Sequence, residues 1–203
     1  MSEFIQINLT EIINEWGEDA TKTFLSHFSC PLNTDVQNFL HNKAIEFSKR
    51  DFSKTHLVLW LSDDEQEMEL IGYYTLSMKN ITVYRDSVSK NTYKKLLNHA
   101  IQYSGKDHVV LPVPLIAQLG KNYSDGNDAL IDGDELLKMA LEKIKLIQNE
   151  IGGRYCYLEC EDKPKLLKFY QNNGFTPFGK RPLDADEDGM QGNYLIQLIK
   201  LLQ

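Results

Sequence analysis

Cysteine, positive charge and long apolar runs are all in short supply in this sequence. Its three cysteines, Cys30, Cys156 and Cys160, are an odd number that suits no disulfide framework. Cys156 and Cys160 share the run RYCYLEC; on a strand they would face one way roughly 13 Å apart, beyond disulfide reach. Both are expected to be small core residues. With 22 Lys and Arg against 29 Asp and Glu, a net charge of −7, the composition argues against a broad basic coat for nucleic acid, though not against local patches. No apolar run reaches the roughly 18 residues of a membrane span, and no charged segment leads into an apolar core at the start. A cytoplasmic protein without membrane association is expected. The histidines His27, His41, His56, His99 and His108 show no pairing at metal-ligand spacing, so no metal is expected. Internal repeats and low-complexity linkers are missing too, and residues 1–203 are expected to form one domain. A chain of this length buries roughly 70% of its unfolded surface and needs neither metal nor disulfide to complete a core.

What is present is an alternation of strand and helix patterns. Phe4 to Leu9 alternates as a strand. Val36, Phe39, Leu40, Ala44 and Phe47 fall at helical spacing, predicting a helix over 33–49 capped by Asn33 or Thr34. HLVLWLS (56–62) and LIGYYTLSMKNI (70–81) predict a hairpin about the acidic turn DDEQEME. A helix over 88–103 follows, then the extended run 109–123, whose two prolines keep its start off regular central pairing. The broadest apolar stripe, Leu136, Leu137, Ala140, Leu141, Ile144 and Ile147, predicts a helix over 134–150. A strand at 154–160, a further helix and strands near 175–179 and 193–202 close the chain. This order fits an α/β fold, a mixed sheet with helices on both faces.

Three stretches carry candidate chemistry. SDGNDALIDGDELL enters the strongest helix through a glycine turn. Free N–H groups and the positive dipole end there suit a phosphate. Asp132, Asp134 and Glu135 crowd the same turn and can serve the dipole themselves; capping and phosphate binding both stay open. DADEDGMQGNYL matches a calcium loop at Asp184, Asp186, Asp188 and Gly189, but has Leu195 where the bidentate glutamate belongs. A solvated loop is expected. LLKFYQNNGF ends a helix at Asn172, Asn173 and Gly174, with a phenol, Tyr170, one turn before the stop. A buried hydroxyl costs free energy unless something bonds it. Either Tyr170 reaches solvent at the helix end, or it serves a ligand.

Taken together, FYQNNGFTPFGK and the element order resemble the GCN5-related N-acetyltransferases over roughly residues 25–200. FSCPLNTDVQNFLHNKA, GYYTLSMKNI and LPVPLIAQLG are similar to a subgroup that includes toxin-type acetyltransferases. The family's pyrophosphate loop, Gln/Arg-x-x-Gly-x-Gly/Ala, is matched here only at Gly133, with Asp128 at its first position and Ile131 at its first glycine. The resemblance implies acetyl-coenzyme A as cosubstrate and a primary amine as acceptor, with aminoacyl-tRNA as the subgroup's suggestion and room for a homodimer. It implies pyrophosphate binding at Ile131, Asp132, Gly133, Asp134, Glu135 and Leu136. It also implies backbone N–H groups of Leu119, Gly120 and Lys121 at the thioester, and Tyr170 as the acid that protonates the leaving thiolate. Glu159 and Glu161 are candidates for a base, though a solvated acidic strand end is the plainer reading. Two basic clusters can meet tRNA: Lys49, Arg50 and Lys54, or Lys163, Lys165 and Lys168 with Lys180 and Arg181. The unmatched loop also leaves a non-catalytic ligand- or protein-binding module as the alternative.

Overall fold

A computed structural model describes residues 3–62, 68–102, 105–184 and 192–202. Its described residues divide into two compact units, the first from within 3–77 and 117–141, the second from within 78–116, 142–184 and 192–202. The sheet is mixed and carries helices on both faces.

In the first unit, strand β1 (Glu3–Asn8) pairs antiparallel with β2 (Lys54–Leu61), and β2 with the first part of β3 (Met68–Tyr84). Five successive residues of β2 are buried, as expected where both faces of a strand are covered. Thr55 and Thr75 are register partners whose hydroxyls bond at 2.9 Å inside it. Helices α1 (Leu9–Trp16) and α2 (Glu18–Leu25) separate β1 from α3 (Thr34–Asn42) and α4 (Ala44–Lys49). Asn8 caps α1 through the Thr10 N–H, and Asn33 caps α3 through the N–H groups of Asp35 and Val36. Leu9, Ile12, Leu25, Phe28, Val36, Leu40, Leu57 and Tyr73 form the core of this unit. The sequence pattern missed α1 and α2. The single helix expected over 33–49 is broken at Lys43, whose φ of −120° leaves the helical range.

In the second unit, helix α5 (Lys90–Leu97) covers the end of β3, and the short β4 (Ile101–Gln102) pairs with the start of β5 (His108–Lys121). The helix expected to run to 103 thus stops early. β5 meets β6 (Tyr155–Glu161) in parallel only at Leu115↔Tyr157 and Ile116↔Leu158. The ladder begins just after Pro112 and Pro114, which donate no N–H. Helix α7 (Pro164–Asn172) leads to β7 (Thr176–Pro182) and β8 (Tyr194–Leu201), both antiparallel, with β8 also paired to β6. Its core gathers Val83, Leu96, Leu111, Val113, Tyr155, Tyr157, Phe178 and Ile199. Helix α6 (Gly133–Ile151) is shared between the two units. Cys30, Cys156 and Cys160 are free and buried, and burial pushes the thiols of Cys156 and Cys160 up to about 12. They are core residues. No helix among the described residues is long and apolar enough to cross a membrane.

Candidate functional site

Each unit carries candidate residues of its own. In the second unit, α7 starts with Pro164 at its first position and stops where Gly174 takes a φ of +79°, a left-handed conformation open to glycine. That stop turns the chain so that Phe175 donates its N–H to the Tyr170 carbonyl at 3.0 Å. The Tyr170 ring is held edge-on between Phe169 and Phe175, at 5.0 and 5.8 Å. Only 8% of the residue is exposed. Its hydroxyl makes no hydrogen bond among the described residues. Among the described residues, the enclosed hydroxyls without partners are those of Ser48 and Ser53. Burial, then the nearby Cys160, raises its pKa. The phenol therefore keeps its proton through the neutral range and above.

On β6, buried on both faces, residues two apart share a side, which puts Tyr155, Tyr157 and Glu159 on the same face. Tyr157 donates its hydroxyl proton to Glu159 Oε1, Lys79 Nζ lies 3.1 Å from the same oxygen, and Arg181 Nε donates to Oε2 at 2.6 Å. Gln197 Nε2 donates to the Tyr157 hydroxyl at 2.8 Å. Burial pushes the Glu159 carboxyl up, but the Tyr157 hydrogen bond and the Arg181 and Lys79 charges outweigh it and hold it below the usual range. Glu161, also buried, pairs with Lys163 at 2.8 Å. Neither is a solvated strand end, the plainer expectation from sequence; both carboxylates are occupied. A carboxylate tied to two cations is a poor proton acceptor.

In the first unit, the end of β5 is pressed against its neighbours. A Cβ at Gly120 would overlap Val36 Cγ1, and one at Gly72 would stand 3.0 Å from the Gly120 carbonyl. Glycine at 120 therefore has a packing reason beside any catalytic one. Tyr73 donates its hydroxyl to Val36 O at 2.5 Å and fixes the segment that covers Gly120. The buried Asn122 next to it accepts from Ser29 N and Ser124 N and donates to Leu70 O. The chain then winds through a 3-10 turn (Ser124–Ala129), in which Asp125 and Gly126 take positive φ, and enters α6. Asp132 Oδ1 accepts the Glu135 N–H at 2.7 Å, and its carbonyl accepts that of Leu136 at 3.2 Å. Asp132 is thus an N-cap, the first of the two readings the sequence left open. Leu119, Gly120 and Lys121 lie beside this loop through the Lys121 ammonium, which donates to Asp128 O and Ile131 O at 2.6 and 3.0 Å.

The basic clusters differ. Lys49 pairs with Glu18, Arg50 with Glu46 and Lys54 with Asp51, so the first is neutralised within its own unit. In the second, Lys163, Lys180 and Arg181 are paired with Glu161, Asp162 and Glu159, while Lys165 and Lys168 stand exposed on α7. Of the calcium-like loop, Asp184 pairs with Arg181 at 3.3 Å, and Asp186, Asp188 and Gly189 lie outside the described residues. No group of three or more potential metal ligands occurs among the described residues.

No family model matches the sequence, and no curated protein does. Solved structures do. AtaT complexed with acetyl-methionyl-tRNAfMet is similar with a TM-score of 0.58 at 19% identity, over 96% of this chain and 94% of that one. A KacT variant with one tyrosine replaced by phenylalanine gives 0.60 at 17% identity, over 96% and 94%. AtaTR bound with AcCoA gives 0.55 at 15% identity, over 96% and 92%. The chain shares the fold of these structures, a mixed sheet with helices on both faces. At these identities the likeness is one of fold.

Proposed function

We propose that the protein is an N-acetyltransferase that moves the acetyl group of acetyl-coenzyme A onto a primary amine. The observation that carries this reading is Tyr170, buried at 8% exposure with a protonated hydroxyl that no described residue engages. A hydroxyl kept neutral and unpaired is suited to donate to a departing thiolate. The shared fold with AtaT and KacT over nearly the whole chain supports it. In this mechanism the neutral amine attacks the thioester carbonyl, and backbone N–H groups of Leu119, Gly120 and Lys121 stabilise the oxyanion. The Tyr170 proton then passes to sulfur as the carbon–sulfur bond breaks, the amine nitrogen sheds one proton to solvent, and the phenolate regains one from solvent. Residues 131–136 take the pyrophosphate. The proposed acceptor class is the amino group of aminoacyl-tRNA, supported by the tRNA-bound neighbour and by Lys165 and Lys168 on α7. The proposal treats the whole chain as one functional domain, acting in the cytoplasm, with a homodimer as the assembly to look for.

A second reading, a non-catalytic binding module of the same fold, is favoured by the Asp132 cap, which occupies a helix N-terminus that a phosphate would need. Titration with acetyl-coenzyme A by calorimetry separates the two. Saturable binding followed by acetyl transfer to an aminoacyl-tRNA supports the first. No heat of binding with folded protein overturns it.

A further inference from the structure

The loop proposed to take the pyrophosphate is acidic. Asp125, Asp128, Asp132, Asp134 and Glu135 crowd the stretch 125–135, and a pyrophosphate entering it meets repulsion from each. Yet a cation is built into the same loop from outside. Lys121, at the end of β5, sends its ammonium to the carbonyls of Asp128 and Ile131, at 2.6 and 3.0 Å. The ring of Tyr123 lies 5.8 Å from the same nitrogen. Behind it the backbone is fixed: Asn122 donates its N–H to Ile71 O, and Tyr123 donates to Ser29 O, at 2.8 and 2.7 Å.

The two carbonyl contacts do more than add charge. A trans peptide is planar, so its N–H points opposite its C=O. Tying Ile131 O to the ammonium therefore turns the Asp132 N–H away from Lys121. That N–H makes no hydrogen bond among the described residues. It stands at the entrance to α6, where the helix dipole adds to its pull on an anion. Without the tether, the segment between the 3-10 turn and α6 is free to rotate its peptides, and the carboxylates around it favour any arrangement that spreads them apart.

We propose that Lys121 is the positioning residue for the phosphate groups of the acyl donor. Its ammonium locks the loop with the Asp132 N–H turned outward and offsets the carboxylates beside it. The inference rests on the acetyltransferase reading and gives the side chain of Lys121 a role apart from its backbone N–H.

The test compares two donors, acetyl-coenzyme A and S-acetylpantetheine, which carries the same thioester without a pyrophosphate. For Lys121→Met, acetyl-coenzyme A should bind roughly 10- to 100-fold more weakly, the scale of losing hydrogen bonds to a charged group. Affinity for S-acetylpantetheine should change by no more than about 2-fold. A merely structural role weakens both donors together and overturns the proposal, as does unchanged affinity for acetyl-coenzyme A. Absence of acetyl-coenzyme A binding in the unaltered protein removes the acetyltransferase reading itself. Asp128→Asn supplies the second arm, because Lys121 uses only the backbone oxygen of that residue. Removing its carboxylate should tighten acetyl-coenzyme A by about 3-fold and leave S-acetylpantetheine alone. Unchanged affinity for acetyl-coenzyme A in that variant, or the same change for both donors, refutes the charge-offset argument.

Discussion

Replacing Tyr170 by phenylalanine removes one oxygen and keeps the ring between Phe169 and Phe175. The hydroxyl has no partner to lose among the described residues. Stability should therefore move by no more than about 0.5 kcal/mol. In a chain of this size that is a shift of about 1–2 °C in Tm, whereas loss of a hydrogen bond worth about 1 kcal/mol would lower it by about 2–4 °C. Donor affinity should also hold, because a proton passed to the leaving sulfur matters only in the transition state. Turnover is where the loss belongs, by roughly 100-fold or about 2.7 kcal/mol. The assay is thiol release from acetyl-coenzyme A with a panel of aminoacyl-tRNAs, polyamines and peptide N-termini, alongside calorimetric donor binding and thermal melts. Because burial raises the Tyr170 pKa, the unaltered enzyme should show no loss of turnover from this group as pH rises toward the ordinary phenol range near 10. Full turnover by the variant on a proven acceptor would return Tyr170 to a phenol that merely reaches solvent. A lowered Tm would instead expose a structural bond.

Gly120→Ala drives a methyl into Val36; it should cost about 1–3 kcal/mol by urea denaturation, and Val36→Ala in the same chain should recover most of that. Gly133→Pro keeps α6, because proline suits the first turn of a helix, but deletes an N–H; melting should be unchanged and acetyl-coenzyme A binding lost. Glu159→Gln strips the charge that Arg181 and Lys79 share and should cost about 3 kcal/mol of stability; a stable variant with lost turnover would make Glu159 a base after all. Burial raises the pKa of Tyr73, Tyr74, Tyr157 and Tyr170. The unfolded chain then loses these protons near pH 10 while the native state keeps them, so stability should fall by about 1.4 kcal/mol per pH unit per phenol as pH rises past that point. Denaturation curves between pH 8 and 11 measure it, and a flat profile would refute the burial.

What was legible in the sequence was whatever repeats locally. The stripe of α6, the strand run of β6 and the stop at Gly174 are written within a dozen residues each, and all three stand in the fold. α1 and α2 escaped because each is eight residues long, too short for a periodic pattern to rise above the strand before it. Their punctuation was there, in Asn8 as cap and in Gly17 with its φ of +81°. The break at Lys43 has no glycine or proline to announce it. Side-chain partnerships were out of reach for another reason. Glu159 draws Lys79 from 80 residues away and Arg181 from 22, and no spacing rule joins three strands. Lys121 was singled out for its backbone N–H, whereas its ammonium grips carbonyls seven and ten residues later.

The occupation of Glu159 and Glu161 bears on the acceptor. With Glu159 held ionised below the usual range and Glu161 paired to Lys163, neither is suited to strip a proton from an ammonium. An amine that must lose its own proton to solvent reacts in proportion to its neutral fraction. An α-amino group, with a pKa near 7.7–8.0, is neutral about 300-fold more often at pH 7 than a lysine ε-amine near 10.4. On this ground the acceptor class to test first is an α-amine, the group an aminoacyl-tRNA presents, and ε-amines should be poor substrates at equal concentration. The pH profile of kcat/KM should rise through the pKa of the acceptor amine and move with it when the acceptor is changed. Equal rates on an α-amine and an ε-amine at pH 7, or a rise fixed near pH 4–5 for every acceptor, would show that a carboxylate takes the proton, and Glu159 would be the first to mutate.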